Sequence, residues 1–191
     1  MVKSTALLSA TIFISGCVGP PAGITSSGAG EIHLGDVAKA GSYSTQRYAD
    51  GRPLEGFMFE KDAIFAAVDG GPFVMWGMDH PGLPAPPEIR EEALRLAHTG
   101  HLRFSMLVVS GGSLATDRGI KVGTGYAALK NAYPKLELKS LPPLWENPTC
   151  AVHEDNLWFF LNGCRVEGDA PKVDSAAQVI RIVVHRTGGK F

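Results

Sequence analysis

Apolar and polar residues alternate in short periods along most of this chain, and the period separates strand from helix. In Gly56–Trp76 (GFMFEKDAIFAAVDGGPFVMW) the pattern predicts strand pieces at Phe57–Phe59, Ala63–Val68 and Phe73–Trp76. Lys61-Asp62 and Asp69-Gly70-Gly71 would be the turns, the second with hairpin chemistry. From Glu88 to Gly100 the period becomes helical, with Ile89, Ala93, Leu96 and Ala97 on one face. Pro87 suits the first helical position, and Gly100 suits the residue just past the end. Glu88, Glu91 and Glu92 sit near the positive end, Arg95 and His98 near the negative end. Strand patterns return at His101–Ser110, Thr149–His153, Leu157–Leu161 and Val179–Val184. Glu154-Asp155-Asn156 and Asn162-Gly163 read as turns. Leu157–Leu161 is unbroken apolar, so it is either buried on both faces or an exposed patch suited to a protein partner. Upstream, Glu31–Leu34 is a candidate strand and Asp36 would cap a short helical turn through Ala40. Gly41–Gly56 reads as a polar loop.

Thr116–Pro134 (TDRGIKVGTGYAALKNAYP) has the most legible local physics. Ile120 and Val122 alternate with Lys121 as in a half-buried strand. Gly123 breaks it and Thr124 is an acceptable N-cap. Tyr126, Leu129 and Tyr133 share a helical face, and Pro134 stops the helix. A Gly-rich turn before a helix can cradle phosphate, but neither phosphate-loop spacing is present.

The segment RGIKVGTGYAALKNAYP resembles a motif of secreted and lipid-anchored bacterial proteins. A weaker copy stands at Gly28–Gly41 (GAGEIHLGDVAKAG), where Gly30, Ile32, Leu34 and Gly35 match Gly119, Ile120, Val122 and Gly123 with one extra residue between. Such repeats resemble the helix-plus-antiparallel-sheet units of the beta-lactamase-inhibitor-protein-like fold. The resemblance implies an α+β fold, an antiparallel sheet with a few short helices, and leaves two related halves open. It implies nothing about activity.

Met1–Cys17 (MVKSTALLSATIFISGC) pairs Lys3 with an apolar run too short to span a bilayer. That is an export signal. Ile14-Ser15-Gly16-Cys17 resembles the bacterial lipobox, which implies cleavage before Cys17 and lipidation of that residue. By analogy with lipoprotein sorting, Val18 after the cysteine directs the protein to the outer membrane. The expected organisation is a signal peptide at 1–16, a flexible Gly/Pro/Ser-rich tether at 17–30 and one periplasmic domain at 31–191. A net charge of −1 without basic runs argues against nucleic acid.

Cys150 and Cys164 remain after lipidation of Cys17, and an oxidising compartment favours their pairing. They flank a predicted hairpin, and the closed loop would stabilise the domain by roughly 3 kcal/mol. A free pair or a nucleophile is the alternative. His98 and His101 could share a metal with His80 upstream, but no accompanying ligand motif supports it, and no metal or cofactor is expected. His153-Glu154-Asp155 could form an acid–base cluster or simply a polar turn. Ser110 and Ser113 lack a nucleophile elbow. Asp62, Asp69 and Asp79 could pair only in three dimensions.

These readings point to a lipid-anchored envelope protein without catalytic function, which binds or inhibits another envelope protein. An envelope hydrolase whose residues converge only in the fold is the alternative. So is a carbohydrate or small-ligand binder using Trp76, Trp145 or Trp158.

Overall fold

The computed structural model describes residues 23–38, 42–47, 53–80, 83, 85–140, 150–167 and 170–185. Cys17 and Trp145 lie outside them, as does the side chain of Cys150. The architecture is α+β. β1 (Ile24–Thr25), β2 (Gly28–Ala29) and β3 (Ile32–His33) form a small sheet. The large sheet takes β4 (Ser42–Arg47), β5 (Pro53–Phe59), β6 (Ile64–Val68), β7 (Phe104–Val109), β8 (Glu137–Ser140), β9 (Cys150–Glu154), β10 (Leu157–Leu161) and β13 (Val179–His185). β11 (Cys164–Glu167) and β12 (Ala170–Val173) form a separate hairpin. The helices are α1 (Pro72–Asp79), α2 (Pro87–His98) and α3 (Tyr126–Ala132).

The large sheet is antiparallel, in the order β4-β5-β6-β7-β13-β10-β9-β8. That order reads as one four-stranded unit, β4-β5-β6-β7, followed by a second, β8-β9-β10-β13, reversed beside it. The register supports the equivalence residue by residue. Val108 pairs with Val183 at the centre, with Leu107↔Val184 and Val109↔Ile182 as symmetric mates. Ile64↔Val109 corresponds to Leu157↔Val184, and Ala66↔Leu107 to Phe159↔Ile182. The register slips at Ala67/Val68 in one half and at Phe160/Leu161 in the other, the same place.

The two motif copies dock identically. Gly35 N donates to Phe104 O at 2.7 Å, and Gly123 N to Val179 O at 2.7 Å. Ala38 N donates to Leu102 O, and Tyr126 N to Ala177 O. His33 N donates to Asp36 Oδ2, and Lys121 N to Thr124 Oγ1. Gly35 and Gly123 have φ of 88° and 91°, a region open to glycine without Cβ strain. The repeated glycines and apolar residues are therefore a structural clip. Each copy joins the start of a central strand and drops an isoleucine, Ile32 or Ile120, into the core.

The main core lies on the sheet face that carries these clips, with Ile24, Phe57, Phe104, Leu107, Leu129, Phe159 and Ile182. Phe65, Val108, Phe160 and Val183 form a smaller cluster on the other face. Arg118 secures the second clip. Its guanidinium stacks 4.4 Å from the Tyr133 ring, donates to Ala132 O at the end of α3 and meets Glu154 Oε1 at 3.1 Å.

Several local expectations are corrected. Phe73–Trp76 is helical, within α1, because a carboxylate from β5 binds the amides of the first turn. Asp69-Gly70-Gly71 accordingly leads into a helix and not into a hairpin. The polar segment Ser42–Arg47 is an edge strand, where exposed polar residues are tolerated and protective. Thr124 spends its hydroxyl on Lys121 N, so α3 starts after Gly125 without a side-chain cap. Asp36 does the same for His33 N, and no helix follows through Ala38. Ile120 and Val122 lie in irregular backbone. The fold also begins before Gly30: Ile24 and Ala29 are buried, because β1 and β2 pair with each other and Ile24 N donates to Ala115 O.

Candidate functional site

Whatever the two halves do not share is not required by their common framework. The first half inserts α1 and α2 between β6 and β7, where the second half carries the β11–β12 hairpin. α1 starts at Pro72, which has no amide to lose at the first helical position. Its next amides, Phe73 N and Val74 N, donate to Glu55 Oε2 at 2.9 and 3.3 Å. Glu55 is fully buried, and its other oxygen accepts from Tyr43 Oη at 3.0 Å. Burial raises its carboxyl above the ordinary range, opposed by the Tyr43, Val74 and Phe73 hydrogen bonds. Burial, with the neighbouring Glu55, also raises the Tyr43 phenol. Gly71 gives the latch room: a Cβ there would collide with the Glu55 carboxylate and displace it from the helix amides.

The latch holds α1 with an apolar side turned outward. Met75, Met78 and the following Leu83 are 54%, 69% and 54% exposed, while Phe73 is buried. Trp76 stacks on His80 with 4.7 Å between ring centres. Methionines make an adaptable contact surface because the thioether chain is flexible and polarizable. A groove of about 900 Å³ runs between β4 and α2, lined by Tyr43, Phe73, Arg90 and Leu94.

A second feature lies where β6, β7 and β13 end together. It is a polar pocket of about 480 Å³ lined by Asp69, His101, Arg103, Ser105 and His185, with Gly35 and Phe104 completing the wall. Burial lowers the His185 imidazole below its ordinary value, against the opposing pull of Asp69.

The residues singled out from sequence meet varied fates. Leu157–Leu161 is buried on both faces apart from half-buried Trp158, so it is not an exposed partner patch. His153 and Glu154 diverge: His153 stacks on Trp158 at 4.3 Å and lies 3.3 Å from Glu137, while Glu154 serves Arg118. Asp155 takes the turn with φ of 52°. His98 bonds back to Leu94 O, His101 to Thr99 Oγ1, and His80 to Trp76 O. Among the described residues no cluster of three potential ligands could hold a metal ion. Asp62, Asp69 and Asp79 sit on separate elements, and only Asp69 enters the polar pocket. Cys164 opens β11, half-buried against the core, and Cys150 opens β9. Sequence reasoning missed Glu55. An acidic residue in an otherwise apolar stretch, fifteen positions before a Gly-Gly-Pro, was the available signal.

No family model, curated protein or solved structure matches the chain. Among the described residues, no helix is long and apolar enough to cross a membrane.

Proposed function

We propose that this chain is a lipid-anchored bacterial envelope protein that binds or inhibits another envelope protein through the α1 insertion. The anchor would be Cys17, with the domain on the periplasmic side of the outer membrane. The observation that carries the binding surface is the pairing of a fully buried carboxylate latch with an outward-facing Met75, Met78 and Leu83. Contiguous exposed apolar surface on an element found in only one half supports a role in contacting a partner. The two-unit sheet also supports kinship with beta-lactamase-inhibitor-protein-like repeats.

The test is a photocrosslinking residue at position 78 of the full-length chain in intact envelopes, with exposed Lys121 as the control site. One stoichiometric envelope protein captured from position 78 alone is the expected result. A blank at 78, or equal capture from both sites, refutes the surface. In the same preparation Cys17→Ala should leave the membrane fraction, and persistent attachment would refute the anchor.

The Cys150–Cys164 disulfide is part of the same proposal, and the internal symmetry supports it. Glu55 corresponds to Cys150 and Gly71 to Cys164, through Gly56↔Ala67 and Ala151↔Phe160 and the positive-φ pair Gly70 and Gly163. In the first half, a side chain at position 71 would run into that of Glu55. The corresponding positions in the second half are Cys150 and Cys164, and the same approach there would supply the proximity that a disulfide requires. The second half would thus close with a covalent latch where the first uses hydrogen bonds. Intact-mass analysis after alkylation without reduction should find neither thiol modified; two alkylated thiols would refute the pairing.

A further inference from the structure

The internal symmetry supplies a control for the polar pocket at the ends of β6, β7 and β13. Following the strand register, Asp69 corresponds to Asn162, His101 to Ala176, Arg103 to Gln178 and His185 to Ser110. The second half builds this corner without a single ionisable group among those four. It also closes the corner: Asn162 Oδ1 accepts from Gln178 N at 2.6 Å, and Asn162 N donates to Gln178 O at 3.1 Å. In the first half Asp69 and Arg103 make no matching backbone bond among the described residues, and a pocket of about 480 Å³ lies at that corner. The framework is built with neutral residues at this corner in the other half, so it does not require the four ionisable side chains.

Their arrangement specifies the chemistry. Arg103 Nη1 donates to Gly35 O at 2.8 Å, which holds the guanidinium at the pocket wall with other donors unspent. Asp69 supplies the opposite charge in the same pocket, and among the described residues Asp69 and Arg103 form no ion pair with each other. His101 spends its Nδ1 on Thr99, leaving Nε2 for a ligand. His185, half-buried, completes the wall, and burial lowers its imidazole below the ordinary value. A separated cation and anion in one small pocket match a ligand that carries both charges.

We propose that this pocket binds a small zwitterion of the free amino-acid type, with its carboxylate on Arg103 and His101 and its ammonium on Asp69. The volume lies within the range of small-molecule sites. A ligand carrying only one of the two charges engages only one of Arg103 and Asp69 and forgoes the other charge-assisted contact.

The test is isothermal titration of the full-length chain in detergent micelles with free glycine and the L and D forms of the other proteinogenic amino acids. Acetate and methylamine serve as single-charge probes. At least one amino acid should bind saturably, and acetate and methylamine should bind at least tenfold more weakly. Arg103→Gln and Asp69→Asn install the residues that the other half tolerates, so both should fold with unchanged circular dichroism and lose binding tenfold or more. His101→Ala provides a third, milder change with a smaller loss. Absence of binding by all amino acids overturns the proposal, as does equal binding of acetate. Binding that survives in the folded Arg103→Gln, Asp69→Asn double variant overturns it as well.

Discussion

Replacing Phe159 with alanine is expected to lower stability by about 3–5 kcal/mol, the usual cost of emptying a fully buried aromatic site. Phe159 is wholly buried in the main core and packs 5.0 Å from the Tyr133 ring. Its symmetry mate is Ala66, also wholly buried. The two halves nonetheless fill the same space, because Phe159 pairs across strands with Val152 while Ala66 pairs with Phe57. Each pair holds one phenylalanine and one smaller side chain, in exchanged positions. Phe159→Ala leaves a Val–Ala pair with nothing to fill the volume. Urea denaturation should show a lower midpoint at an unchanged slope. Phe159→Leu should recover more than half of the loss. A loss below about 1 kcal/mol for the alanine variant would mean that the core collapses around the site and is not close-packed there.

The second large effect is expected at the Glu55 latch. Glu55→Ala strands the amides of Phe73 and Val74 and the hydroxyl of Tyr43, at a cost of about 2–3 kcal/mol for unsatisfied buried groups. α1 should lose amide-exchange protection before the central sheet does. Glu55→Gln keeps an acceptor for the helix amides and should cost less than half as much. The pH dependence has a definite sign. The folded-state carboxyl is raised, so between the ordinary carboxylate value and the raised one the folded chain holds more protons than the unfolded chain. The Glu55 contribution to stability is therefore complete below that window and falls as pH rises through it. Comparing stability against pH for wild type and Glu55→Gln isolates the effect: the difference curve should decline with rising pH, and a flat or rising curve would contradict the burial of the carboxyl.

Much of the framework was legible because it rests on local rules. Pro87 and Gly100 bracket α2, and the apolar face of that helix follows a 3.6-residue period. The two motif copies could be aligned by eye because each glycine answers a backbone requirement that no other residue meets cheaply. β10 and β13 announced themselves as apolar runs. Local rules also misled. Phe73-Val74-Met75-Trp76 has strand composition, but Pro72 at the first helical position and the distant Glu55 carboxylate on the next two amides favour its helical form. Ser42–Arg47 looks like a loop because edge strands are selected for polar, non-adhesive surfaces.

By itself, the sequence determined the α+β class, the strand and helix periods and the clip glycines, since each follows from residues close together along the chain. Only the tertiary structure decided that two units meet at Val108 and Val183, that Leu157–Leu161 is buried and that Met75 and Met78 are exposed. It also decided that Asp69, His101, Arg103 and His185 share one pocket. Those facts depend on which strands become neighbours. Strand pairing across a long sequence separation is fixed by the whole core, and no local period encodes it.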